Sequence, residues 1–323
     1  MLALLASLDG VFFAGGDQAR HLEALGTAVS GAQGYTVGPE WRLICQRHAQ
    51  GSLVVAGTSA GNHIQGGGLW HGRPVPMIGG GDSCPALGKG FMPASGATQE
   101  APGTPTLYLH GGLGTFPYGV LDSHFSQRCR EGRLVSACLY SLVRYGFGVD
   151  ENTALLVEQP DAAGQVRMRV MGEHGVWVVD VQACQSTVLP DGGLQASGVC
   201  VHHLLAGDEV LIDQRGELHV TLAGVPDATA VDASLVVDGW QAIQAYDSGR
   251  FAALAQHLCR VGAGAASGST AGGDDGRCEA APPPWGMRLR RRPDTRVAWQ
   301  GGRAAYTRLA LDVWPLQPVT LAP

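Results

Sequence analysis

The stretch LVVAGTSAG (53–61) decides how the rest of the chain is read. Its apolar opening, with two β-branched valines, reads as a buried strand, and the glycine-flanked serine after it reads as a sharp strand-to-helix turn. A serine held on such a turn projects its Oγ away from the backbone. The flanking glycines tolerate the crowding, and the N–H of the next residue points at the oxyanion that forms when the serine attacks a carbonyl. In a chain of 323 residues with 48 glycines, the G-x-S-x-G pattern alone carries little weight. Its structural alternative is a glycine turn after a strand.

Working outward, Val11 to Ala14 reads as a second short buried strand, ended by the turn Gly15-Gly16-Asp17-Gln18. Arg20 to Ala28 and Glu40 to Ala49 read as helices. Strands alternating with helices in this rhythm predict parallel pairing, because a crossover helix is what joins parallel neighbours. Residues 66–117 are rich in Gly and Pro and read as long loops around a site. Arg128 to Tyr145 predicts a helix and Thr153 to Glu158 a strand. From Val166 to Val220 short β-rich runs separated by Gly and Asp predict antiparallel strands. Residues 262–284 (GAGAASGSTAGGDDGRCEAAPPP) have the composition of a disordered linker. Strand-like pieces such as Tyr306 to Asp312 follow it. The expected fold is α/β, a mostly parallel sheet flanked by helices with a β-rich C-terminal part. The expected division is a main domain over 1–240 and a C-terminal extension over 241–323.

The net charge of −6 gives no footprint for nucleic acid or an anionic membrane surface. The basic run Met287 to Arg292 reads as a solvated edge. No run reaches the roughly 18 apolar residues of a membrane span. The eight cysteines form no C-x-x-C pair and the histidines show no zinc spacing, so neither a metal nor any other cofactor is expected. Met1 to Leu8 is apolar but lacks a basic leader region, and the chain is read as a reduced, cytoplasmic protein.

A nucleophilic serine needs a base, and eleven histidines offer several candidates. His63 stands one helical turn after Ser59 and is expected to point away. His110 lies in a His-Gly-Gly run that resembles the oxyanion motif of α/β-hydrolases, but it follows the nucleophile where that motif precedes it. His124 lies among acids and arginines in LDSHFSQRCREGRL (121–134).

Four segments, FFAGGDQ (12–18), GTSAG (57–61), LDSHFSQRCREGRL (121–134) and GFGVDENTALLV (146–157), occur in the order found in cyanophycinases, and the chain resembles that family of serine exopeptidases. VMGEHGVWVVDVQ (170–182) and VHHLLAGDEV (201–210) resemble the family's β-rich tail. The resemblance runs over residues 8–215 and relates the chain to the bacterial aspartyl dipeptidases. It implies a fold like that of class I glutamine amidotransferases and a Ser-His-Glu triad, with Ser59 as nucleophile, His124 as base and Glu151 as the orienting acid. Asp122 and Asp150 are the alternatives for the orienting acid. Gly16 and Ala60 match the oxyanion donors, Gln18 a position at the substrate, and Arg128 and Arg133 basic residues lining the pocket. The implied substrate is cyanophycin, a poly-aspartate with arginine on each side-chain carboxylate, cut to β-Asp-Arg dipeptides. Acids must receive its guanidinium groups, and Asp82 and Asp122 are the candidates.

Three departures stand out. Asn62 and His63 replace small residues after the nucleophile, and Ser123 replaces a glutamine before the base. The family also begins with about two further strands and helices before FFAGGDQ, so an upstream start is expected. The first two keep alternatives open, namely an aspartyl or isoaspartyl dipeptidase acting on small peptides, or an inactive binding protein on the same scaffold. The family commonly dimerises, so a homodimer is an expected partner, beside a peptide or polymer substrate.

Overall fold

The computed structural model describes residues 1–28, 35–94, 104–227, 238–242, 250–260 and 285–315. The expected linker at 262–284 lies outside them. Gly10–Phe13 and Val54–Gly57 pair in parallel, with Phe13 opposite Gly57, and the helices Gln18–Leu25 and Pro39–Ala49 lie between them in the chain. Pro39 occupies the first helical turn and Glu40 adds an acidic residue there, where a missing N–H costs nothing and negative charge is favourable. The first helix ends at Leu25, three residues earlier than its composition suggests, because Gly26 leaves the helix in extended backbone and starts the short ladder of Gly26–Ala28 with Tyr35–Val37.

A second parallel pair, Val120–Ser123 with Tyr145–Val149, is bridged by the helix Glu131–Ser141. From Val149 onward the large sheet is antiparallel. Its order runs Val120–Ser123, Tyr145–Val149, Val176–Asp180, Leu194–Leu204, Arg303–Pro315, Trp285–Arg290, Asp238–Ala242. The expectation of a mostly parallel sheet is therefore corrected: parallel pairing is confined to short pairs, and the longest ladders are antiparallel. The parallel pairs 10–13 with 54–57 and 120–123 with 145–149 each have helices between their strands, whereas the helix Arg250–Arg260 stands between strands that pair antiparallel. The fold is α/β with several sheets and a β-rich C-terminal part.

Strand Arg303–Pro315 pairs along Leu194–Leu204 with bulges near Ala196 and Val201. Residues 285–315 thus stand in the same sheet as the strand that leads to His124. The helix 131–141 packs its Leu134, Val135, Ala137 and Cys138 face onto this sheet, in one cluster with Trp177, Trp285, Met287, Tyr306 and Leu309. Each such fully buried large side chain contributes about 1.5–3 kcal/mol. A separate apolar cluster around Leu22, Ile44 and Ile64 supports the Ser59 region. Among the described residues no helix is long and apolar enough to cross a membrane.

Candidate active site

Ser59 sits at φ 53° and ψ −115° between the strand Val54–Gly57 and the short helix Ala60–His63. Non-glycine residues hold such a conformation only where their surroundings enforce it. Here the enforcement is backbone contact. A Cβ on Gly61 would stand 2.0 Å from the Phe13 carbonyl oxygen, and one on Gly57 would stand 2.1 Å from the Gly61 carbonyl oxygen. The neighbouring strand and the turn therefore touch through both glycines. The Thr58 N–H donates to the Phe13 carbonyl at 3.1 Å.

The Gly15-Gly16 turn faces the serine: a Cβ on Gly15 would lie 3.9 Å from Ser59 Oγ. Gly16 and Ala60 line one cavity with Ser59. Among the described residues, neither amide N–H has a hydrogen-bond partner. Two donors and a serine hydroxyl thus share the wall of a polar cavity of about 210 Å³.

His124 follows the strand Val120–Ser123 at φ 48°. Its Nδ1 lies 2.7 Å from Glu151 Oε1. A carboxylate only accepts, so Nδ1–H donates and Nε2 keeps its lone pair. The Glu151 backbone N–H donates to Gln127 Oε1 at 3.1 Å, and Thr153 Oγ1 donates to the Glu151 carbonyl at 3.1 Å. The other two acids are engaged elsewhere. Asp150 is buried, accepts from the Ser126 and Gly175 N–H groups at 2.9 and 3.3 Å, and is pushed upward chiefly by burial. Among the described residues Ser59 Oγ makes no hydrogen bond, to His124 or to any other group. Such bonds are often long without substrate.

Asp122 corrects an expectation. It does not line the cavity. Its side chain is fully buried and held by Arg133, whose Nε donates at 2.9 Å, by Arg130 Nη1 at 3.4 Å, and by the Ser123 N–H at 2.7 Å. Burial alone would raise its carboxyl, but the two guanidinium groups outweigh that and hold it below the usual range. A substrate guanidinium would have to displace one of the chain's own. Arg133 is itself only 2% exposed, and its Nη1 donates to the Gly81 carbonyl at 2.5 Å. It reaches the cavity wall while its fork is spent on Asp122.

The other expected positions do face the cavity. Gln18 Nε2 donates to the Ile78 and Gly79 carbonyls at 2.7 and 2.8 Å, which fixes the amide, and among the described residues its oxygen has no partner. Asp82 precedes the helix Ser83–Lys89 without capping it. Arg128 is exposed at the rim.

Two further nitrogen-bearing side chains line the cavity beside the expected positions. Arg130 lines the wall, donates to the Ser123 carbonyl at 2.7 Å, and is lowered by burial to about 10. The 3₁₀ turn Ser126–Arg128 and the left-handed Cys129 bring it beside Arg128, which no regular helix would do. His63 also lines the wall, contrary to its expected outward direction. Residues i and i+4 share a helix face, so the turn that aims Ser59 into the cavity aims His63 there too.

No family model matches the chain. Among curated proteins it is 30% identical to the cyanophycinase of Trichormus variabilis over 217 residues, 66% of this chain and 60% of that one. It is 33% identical to the cyanophycinase of Synechococcus elongatus over 183 residues, 56% of this chain and 44% of that one. It is 27% identical to the cyanophycinase of Geminocystis herdmanii over 219 residues, 67% and 65% of the two chains. The chain spans at most about 65% of the length of these relatives. Similarity at this level, over about 60% of the chain, supports a cyanophycinase-like family.

Proposed function

We propose that the protein is a serine-type peptidase that hydrolyses cyanophycin to β-Asp-Arg dipeptides. The observation that carries this reading is the 2.7 Å bond between His124 and Glu151, in a chain whose Ser59 stands on a strained strand-to-helix turn. Ser59 Oγ attacks the scissile carbonyl and its proton passes to His124 Nε2. Glu151 holds the tautomer and stabilises the imidazolium. The N–H groups of Gly16 and Ala60 bind the oxyanion, where each donor is worth about 10²–10³ in rate. His124 then protonates the leaving amine, and water, deprotonated by the same nitrogen, releases the acyl group. Arg128 and Arg130 meet substrate carboxylates, the Gln18 amide oxygen accepts a substrate N–H, and Asp82 receives a guanidinium.

The sequestration of Asp122 favours a second reading of the same chemistry. With Asp82 the carboxylate on the wall that accepts no hydrogen bond among the described residues, small aspartyl or isoaspartyl peptides fit the cavity with less demand for arginine recognition.

Insoluble cyanophycin, incubated with the wild type and with Ser59→Ala, decides between them. Soluble β-Asp-Arg, read by mass spectrometry, is expected from the wild type, with turnover lowered on the order of 10⁶ in the variant. Equal release from both would remove Ser59 as nucleophile. No release from a folded wild type that cleaves short aspartyl peptides would establish the second reading.

A further inference from the structure

The turn that carries Ser59 and the strand that carries His124 are joined by two side-chain bridges. Asn62 Nδ2 donates to the Asp122 carbonyl at 3.2 Å. His63 Nε2 lies 3.2 Å from Ser123 Oγ and 3.6 Å from Asp122 Oδ1. All of the second bridge is buried: His63 is 4% exposed, Ser123 6% and Asp122 0%. One end of it is four residues after Ser59, and the other is the residue immediately before His124. Both functional residues hold positive φ, at 53° and 48°, so neither rests in a basin of its own choosing and both depend on what surrounds them.

The imidazole of His63 does not serve as a charge in this position. Asp122 is already satisfied by Arg133 and Arg130. A proton on His63 would face those two guanidinium groups and His124. Burial first, and these cations after it, pull His63 down to about 3 against the attraction of Asp122. The ring is a neutral spacer with one directed hydrogen bond to Ser123, and its Nδ1 is buried without a partner.

We propose that His63 is a positioning residue: through Ser123 it sets the separation and orientation of Ser59 relative to His124. The inference rests on reading these two as nucleophile and base. A displacement of about 1 Å between reacting groups costs on the order of 10² in rate, and a bridge whose ends stand four residues after Ser59 and one residue before His124 controls a displacement of that size.

The test uses three variants of the full chain. His63→Phe keeps a ring and removes the bond, Ser123→Ala removes the other partner, and His63→Gln returns a side-chain N–H donor. A soluble trimer of β-Asp-Arg serves as substrate, with thermal midpoints recorded for every variant. His63→Phe and Ser123→Ala are expected to lower kcat about 10²-fold with KM changed less than about threefold, matching the cost of a misplaced pair. The double variant is expected to fall no further than either single one, and His63→Gln to recover most of the loss. A rise in KM at constant kcat, additive losses, or a His63→Phe enzyme as fast as wild type would overturn the inference. A wild type with no turnover sinks the reading of the site instead. In that case the ¹⁵N imidazole spectrum decides: His124 ring signals that move in both His63→Phe and Ser123→Ala uphold the bridge, and unmoved signals overturn it.

Discussion

On the Ser59 side of the cavity, backbone is pressed against backbone, with hypothetical Cβ atoms on Gly57 and Gly61 falling 2.1 and 2.0 Å from carbonyl oxygens. On the His124 side, the same job of holding a residue at positive φ is done by buried charge. Asp122 is gripped by Arg130 and Arg133, and Asp150 accepts two backbone N–H groups. Steric contact fixes a position with no dependence on solvent and no tolerance for an added atom. Buried ion pairs and hydrogen bonds fix it conditionally: each partner removed leaves an unpaired group, and protonation alters the balance. One side of the site should therefore fail all at once, and the other should respond by degrees.

Among the residues that support the nucleophile and base, the largest expected effect lies on the graded side and leaves the fold untouched. Glu151→Gln should lower kcat about 10⁴-fold through the wrong tautomer of His124. The Glu151 side chain is 46% exposed, so the thermal midpoint should stay within a few degrees of wild type. Steady-state kinetics beside a melting curve reads both. A rate loss below about tenfold would leave His124 without need of an orienting acid and would sink the triad.

The steric side is broken by one methyl group. Gly61→Ala places a carbon against the Phe13 carbonyl, inside the narrow contact of two strands and a turn. Neither backbone can yield without undoing the parallel pair. The variant should lose more than about 4 kcal/mol, the exceptional range reserved for such clashes, in a urea titration. A midpoint near wild type would show that the Ser59 turn is as compliant as the opposite wall, and the contrast would collapse.

The same contrast governs what the sequence made readable. The Ser59 turn is encoded within nine consecutive residues, 53–61, because a strand, two glycines and a serine leave little choice of geometry. The strand and the turn follow from those residues alone. The polar side is assembled from residues 63, 81, 122–133 and 150–151, and no local pattern says which acid meets which base. Asp122 is the acid nearest His124 along the chain and Asp150 adjoins Glu151; only the folded register puts Glu151 on the imidazole. The need for an acid to receive a substrate guanidinium points to Asp122 in the sequence; its sequestration by Arg130 and Arg133 depends on a 3₁₀ turn that helical periodicity does not foresee. Asn62-His63 and Ser123 were read as separate departures in the sequence, yet they form the two bridges between the turn and the strand. The parallel pair of 10–13 with 54–57 is legible from its crossover helices; that of 120–123 with 145–149 is not, because the sequence reading has no strand at 145–149. The placement of residues 303–315 beside residues 194–204 is not legible either, since a pairing more than 100 residues apart leaves no mark on local pattern.

Glu131 gives the finest probe of the graded side. It opens the helix that carries Arg133, is 3% exposed, and among the described residues its carboxyl has no partner beyond its own backbone N–H. Burial pushes its carboxyl up to about 8, with Asp150 and Asp122 adding to the effect. A folded pKa above the unfolded one means that the folded state holds the proton more tightly. The contribution of protonated Glu131 is fully present below the unfolded value near 4.5 and is lost as pH climbs toward about 8. Glu131→Gln, neutral at every pH, should match wild type at pH 5 and exceed it by roughly 2–3 kcal/mol at pH 7. The depressed histidines 63, 202 and 203 lose their contributions on the acid side, as pH falls below about 6.5, and they are common to both proteins, so they cancel in the difference. Urea midpoints at the two pH values supply the measurement. A difference that does not change with pH would mean that Glu131 stays charged in the folded protein, and that this wall is as insensitive to protons as the glycine contacts opposite.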